Sequence, residues 1–261
     1  MKFSLSSRQS DEYLAKADEI KVQYRDRNII PEFIEKYPNA IINLRRFWQD
    51  QEEPIDWTQI NMYHVLAQGR FILGLSSIDE IKTAKEKGYA YYYTAPAYTF
   101  QQLNDYKNLG VCFVQLGAPL FFQMEKVKRI GVPVRHVANM AYSTSEFEHD
   151  DGVIGTWIRP EDVATYEPYI DTIEFFGNKT QEQTLYRLYA EQHTWSGELG
   201  LVVPDLNYIC TNRMVPPTLA EARLNCGQRC METGMCHLCY RTMDLANPTL
   251  LRPVLEAQNL T

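Results

Sequence analysis

Short apolar strands alternate with amphipathic helices along most of this chain, and that alternation is what most restricts its possible folds. Lys2–Ser6, Glu19–Tyr24, Ala40–Leu44, Phe71–Leu75, Ala90–Thr94, Val111–Leu116 and Val132–Ala138 read as strands. Helices are expected between them. One runs over Pro31–Tyr37, where Pro31 takes a first-turn position that needs no N–H. Ile78–Lys87 ends at Gly88, Phe100–Asn108 starts behind Thr99 as a cap and ends at Gly110, and Leu120–Arg129 ends at Gly131. Further on, Gly155–Ile158, Asp171–Phe176 and Leu199–Val203 read as strands and Gln181–His193 as a helix. Strands alternating with helices predict a parallel sheet with right-handed crossovers. About eight such units in roughly 200 residues fit a TIM-like (β/α)8 barrel. A doubly wound open sheet is the alternative, but no G-x-G-x-x-G follows the first strand. The expected division is a barrel over residues 1–205 and a cysteine-bearing segment over residues 206–261, entered through Pro204–Pro217.

That segment holds Cys226, Cys230, Cys236 and Cys239, in the pattern C-x3-C-x5-C-x2-C. Four thiols so close in sequence can converge on one metal centre, with Gly227 and Gly234 letting the backbone turn tightly. A disulfide reading needs an oxidising compartment, and the stretch from Met1 to Arg8 has no apolar region of signal-peptide length. A zinc reading makes two knuckles, though zinc sites usually separate theirs by a dozen or more residues. An iron–sulfur reading wraps one loop around a [4Fe-4S] cluster, which closely spaced cysteines commonly hold. The last is favoured, zinc is the alternative, and Cys210 and His237 are substitute ligands. Cys112 lies in the apolar run Val111–Val114 and reads as a small buried hydrophobe.

Composition narrows the function classes. The 261 residues carry a formal charge of −7, which argues against a free-standing nucleic-acid binder. No stretch approaches the length of a membrane span, so the expectation is a cytoplasmic protein with no membrane partner. In a parallel barrel the reactive groups stand at the C-terminal ends of strands. That rule nominates Arg25, Arg45 and Arg159 to clamp an anionic group, Gln115 to bind substrate, and His136 and Glu174 for catalysis. His136 is the acid–base candidate because it falls near the end of an apolar strand; the competing reading of a lone strand histidine is a satisfied core residue. H-E-x-x-H and G-x-S-x-G are both missing.

The run Val111-Cys-Phe-Val-Gln-Leu-Gly-Ala-Pro119, a helix, and then Val132-Pro-Val-Arg-His-Val-Ala-Asn-Met140 resembles the peptidase U32 family, with its strand of type IVQDLG, helix, and strand of type IHASTQM. Thr172–Gly177 and the tyrosine-bearing helix around Tyr186-Arg-Leu-Tyr189 are similar to that family's segment around KIEGR, although Glu174-Phe-Phe-Gly-Asn178 stands in its place. The resemblance spans about residues 70 to 200. It implies a TIM-like barrel with a cysteine-bound cubane cluster. It further implies redox or hydroxylation chemistry on a small molecule or nucleobase, as in family members acting on RNA pyrimidines or quinone precursors, or else a collagenase-like peptidase. A non-catalytic barrel docking RNA or a protein partner through a zinc knuckle is the reading of a different class. Metal analysis of anaerobically prepared protein separates the cofactors: a brown sample with iron and sulfide supports the cubane, and a colourless one with a single zinc supports the knuckle.

Overall fold

The computed structural model describes residues 1–46, 53–75, 77–89, 91–93, 97–138, 156–195, 215, 217–224 and 226. Its strands are β1 (Lys2–Ser6), β2 (Glu19–Gln23), β3 (Ile41–Arg45), β4 (Phe71–Leu75), β5 (Tyr91–Tyr93), β6 (Val114–Gln115), β7 (Val134–Ala138) and β8 (Thr172–Phe175). They form one sheet in the order β5-β4-β3-β2-β1-β8-β7-β6, and every laddered pair is parallel. The strands run outward from β1 in both directions, leaving β5 and β6 as the outer pair of the sheet. Its two outer strands are brought together by an isolated parallel bridge between Ala97 and Leu116. There the Ala97 N–H donates to the Gln115 carbonyl at 2.8 Å, and the Gly117 N–H donates to the Ala97 carbonyl at 2.8 Å. A Cβ on Gly117 would collide with the Tyr98 ring, so glycine is required at this close approach. The architecture is a TIM-like (β/α)8 barrel.

Helices follow the strands: α1 (Asp11–Leu14), α2 (Ile30–Lys36), α3 (Trp57–Leu66), α4 (Ile78–Glu86), α5 (Phe100–Leu109), α6 (Ala118–Phe121), α7 (Met124–Ile130), α8 (Val163–Tyr166), α9 (Lys179–Tyr186) and α10 (Leu219–Leu224). The expected stops and starts have their physical counterparts. Thr99 and Gln102 form a reciprocal capping box on α5, and Gly110 ends it at φ 79°. Three expectations are corrected. The helix anticipated over Leu120–Arg129 is two short helices, α6 and α7. The helix anticipated over Gln181–His193 becomes a π-helical turn at Arg187–Gln192. Thr156–Ile158 is not a strand: side chains rather than a neighbouring strand take the carbonyls of Trp157 and Ile158. Arg223 Nη1 donates to the Trp157 carbonyl at 2.6 Å, and the Tyr189 hydroxyl donates to that of Ile158. Leu199–Val203 lies outside the described residues.

Strand residues alternate between two environments. Leu5, Ile20, Val22, Ile42, Leu44, Phe71, Leu73, Val134, Ile173 and Phe175 are buried against the helices and form the apolar layer. The opposite face lines the barrel interior and is polar: Ser4, Glu19, Lys21, Asn43, Arg45, Gln115, Arg135, Thr172 and Glu174. Barrel interiors are ordinarily filled by branched apolar side chains; here an ion network takes that place. Arg135 holds Glu19 through two hydrogen bonds of 2.6 Å and reaches Glu174 at 2.9 Å. Asn43 and Ser4 donate to Glu19 at 2.6 and 2.8 Å. Burial alone would raise the Glu19 pKa, but the Arg135 charge and these hydrogen bonds outweigh it and hold it below the ordinary value.

Outside the barrel, α10 packs through Leu219 and Ala220. The Arg223 guanidinium lies over the Trp157 ring at 4.4 Å and beside Phe121 and Phe122.

Removing Arg135 leaves two buried carboxylates without their shared cation. Arg135→Met is expected to destabilise the fold by about 3–5 kcal/mol, against about 1 kcal/mol for Thr99→Ala, which removes only a helix cap. Urea unfolding of the two variants beside the parent measures both, and a smaller loss for Arg135→Met than for Thr99→Ala would contradict the network's structural weight.

Candidate active site at the barrel mouth

A cavity of about 220 Å³ opens at the C-terminal ends of β1, β2, β3 and β8. Strand ends supply Ser6, Lys21, Gln23, Arg45 and Glu174; the turn after β1 supplies Arg8 and Gln9; and Phe176, Gly177, Asn178, Lys179 and Glu182 come from β8's exit into α9. The placement follows from the alternation. The period that turns Ile20 and Val22 outward sends Glu19 and Lys21 inward, and Lys21 is the one nearer the mouth.

Lys21 is the central group. Its ammonium donates to the Phe175 carbonyl at 2.5 Å and lies 3.6 Å from Glu174 Oε1 and 3.5 Å from Glu182 Oε1. Glu174 also receives Arg45 and Arg135. Burial would raise its pKa, but the charges of Arg45, Lys21 and Arg135 together bring it down to about 2. Glu182 stands one turn into α9, and its Oε2 accepts the Ser6 N–H at 3.1 Å and Gln9 Nε2 at 2.9 Å. These bonds tie the turn after β1 to α9. Arg8 reaches Gln23 Oε1 at 3.0 Å and is largely exposed. The lining thus sets four cations, Arg8, Lys21, Arg45 and Lys179, against two carboxylates, Glu174 and Glu182. A cavity of that balance attracts an anion, and Lys21 presents a proton at its wall.

The residues nominated from sequence separate into two groups. Glu174 and Arg45 meet here as an ion pair, and Gln115 is buried in the barrel interior beside Arg135 in register. The others stand apart from the cavity. Arg25 is exposed in the 3-10 turn Tyr24–Ile29. Arg159 is buried, paired with Asp162 at 2.6 and 2.8 Å, and donates to the Val215 carbonyl at 3.0 Å, which places it in packing rather than at the mouth. His136 faces outward, opposite in the strand to Arg135 and Val137, with its ring 6.1 Å from that of Phe121. Burial, and secondarily the nearby Arg223 charge, lower its pKa to about 3, so it is neutral near pH 7. Lys21, Glu182, Gln9 and Arg135 were not singled out from sequence. The signal for Lys21 and Arg135 was present, as charged residues at alternate positions of strands otherwise apolar enough to be buried on both faces.

Cys226 is buried just past α10, and its N–H donates to the Arg223 carbonyl at 3.2 Å. Cys230, Cys236 and Cys239 lie outside the described residues, as do Cys210 and His237. Among the described residues, no group of three or more His, Cys, Asp or Glu side chains is placed to share a metal ion. No helix among them is long and apolar enough to cross a membrane.

No family model matches the chain, and no curated protein matches it. Among solved structures it is similar to 3-keto-L-gulonate-6-phosphate decarboxylase from Vibrio cholerae, at 13% identity and a TM-score of 0.47, over 74% of this chain and 96% of that one. The expected kinship with the peptidase U32 family is corrected: no family model, that one included, matches the chain. The iron–sulfur hydroxylase and peptidase readings fall with it. The physical reason is that a strand, helix, strand succession is common to every unit of an α/β fold and so does not single out one family. In the segment that stands in place of the family's KIEGR, Glu174 is committed here to Arg45, Arg135 and Lys21.

Two acid transitions follow from the lowered values. His136 is neutral when folded and titrates near 6.5 when unfolded, so its contribution to stability is complete above pH 6.5 and is lost as pH falls toward 3. Glu174 is ionised when folded, and its contribution is complete above about pH 4.5 and is lost as pH falls through about 2. His136→Phe should therefore flatten the fall in stability between pH 6.5 and 4.5 while leaving the steeper loss below pH 4. Urea midpoints across pH 3–8 test this, and an unchanged profile in His136→Phe would contradict the buried neutral imidazole.

Proposed function

We propose that this protein is a barrel enzyme that binds a small anionic substrate in the mouth cavity and moves a proton at it with Lys21. The observation that carries this reading is the Lys21 ammonium, held between Glu174 and Glu182 at the strand ends of a cation-rich cavity. Four parts support it. Arg8 and Lys179 stand at the rim, where an incoming carboxylate or phosphate meets them first. Arg45 and Arg135 keep Glu174 ionised, so that it balances the charge of Lys21 rather than taking its proton. The Phe175 carbonyl fixes the direction of Nζ. An ammonium oriented in this way can protonate the substrate atom that gains an electron pair as a neighbouring substrate bond breaks, and the resulting amine recovers a proton from water. Such a step is worth typically 10²–10⁴ in rate. Substrate and strand ends meet where barrels ordinarily place their chemistry.

A panel of carboxylate and phosphate metabolites in deuterated buffer, followed by proton NMR, tests the reading. At least one member is expected to bind and either exchange a C–H proton or be converted. Lys21→Met should lower that rate by at least about 100-fold, and Lys21→Arg, which keeps the charge but not the acidity, should not restore it. A panel without a single binder, or conversion by Lys21→Met at the parent rate, would count against it.

A further inference from the structure

Gln9 is 6% exposed, lines the mouth cavity, and sits in the turn between β1 and α1. Its amide is oriented by its neighbours. Nε2 donates to the Lys179 carbonyl at 3.1 Å and to Glu182 Oε2 at 2.9 Å, both of which can only accept. The assignment of the two ends of the amide is therefore settled, and Oε1 faces away from those acceptors. Among the described residues no donor reaches Oε1, and it is buried. A buried acceptor left without a donor is costly, and such groups in folded proteins ordinarily have a partner. Gln9 lines the cavity, and its terminal torsion is soft, so a modest adjustment of the side chain brings Oε1 within reach of a ligand there.

We infer that Gln9 is a specificity-determining residue, whose Oε1 accepts a hydrogen bond from a hydroxyl of the ligand. The substrate class is then a hydroxylated anion, with its charged group on Arg8 and Lys179 and a hydroxyl a few bonds away on Gln9. This rests on the anion-binding reading of the mouth and makes it narrower. The chemistry is discriminating in one direction. A ligand without the hydroxyl must leave Oε1 unsatisfied, whereas a hydroxylated one satisfies it without introducing a charge beside Glu182. The same amide braces Glu182 through Nε2, so binding of the hydroxyl is coupled to the carboxylate that faces Lys21.

A matched pair of probes, glycerol 3-phosphate and propyl phosphate, tests this by isothermal titration calorimetry, with inorganic phosphate as the third ligand. The parent protein is expected to bind glycerol 3-phosphate about tenfold more tightly than propyl phosphate. In Gln9→Met that ratio should collapse toward one, through loss of affinity for glycerol 3-phosphate and with little change for propyl phosphate. Equal affinities in the parent protein would overturn the role of Gln9 while leaving the anion site standing; this comparison needs no variant and holds even if Gln9→Met does not fold. A ratio that survives in a folded Gln9→Met would overturn it as well. No binding of any of the three anions would overturn the anion site and, with it, this inference.

Discussion

The salt bridge between Arg135 and Glu19, deep in the barrel, is the contact on which the rest of the structure depends. Taking these charges out of water costs several kcal/mol per ion, and only near-complete pairing makes the interior tolerable. The barrel supplies it. Arg135 on β7 bridges Glu19 on β2 and Glu174 on β8, while Asn43 on β3 and Ser4 on β1 take up the remaining lone pairs of Glu19. Five strands are thereby fixed in register by side chains as well as by their ladders. A slip of one residue in any of them would turn its charged set into the apolar layer and its apolar set into the network.

The mouth inherits this arrangement. Lys21 and Arg45 are the next inward-facing residues on strands whose deeper positions are Glu19 and Asn43. Glu174 is shared, as one oxygen faces Arg135 below and the other faces Arg45 and Lys21 above. The site's charges are therefore continuous with those that hold the barrel together, which fixes their positions before any ligand arrives and spares the binding step that reorganisation.

The barrel was legible in the sequence because its signal is repetitive: seven of the eight strands were marked by runs ahead of the helices, and Asp171–Phe176 supplied the eighth. The run through Trp157 and Ile158 reads as a strand in sequence because an apolar segment looks alike whether a strand or a set of side chains satisfies its carbonyls. Trp157 and Ile158 are of the second kind. The site was legible only in part. Glu174 and Arg45 fall at strand ends, where a positional rule finds them. His136 falls there too, but alternation turns it outward, and a rule based on strand ends does not ask which face a residue is on. Gln9 and Glu182 lie far apart in sequence, and only closure of β1 against β8 brings them together. The U32 resemblance rested largely on a strand, helix, strand succession shared by α/β folds, and was correspondingly weak as a guide to chemistry.

The seam at Ala97 and Leu116 gives the barrel a preferred direction of give. Elsewhere neighbouring strands share ladders, whereas this junction among the described residues is a single bridge set against the Tyr98 ring. It lies across the ring of strands from β1, on the far side from the mouth cavity. Opening the cylinder at that junction costs a single bridge, whereas opening it beside Lys21 would break the full ladders of β2 with β1 and β3.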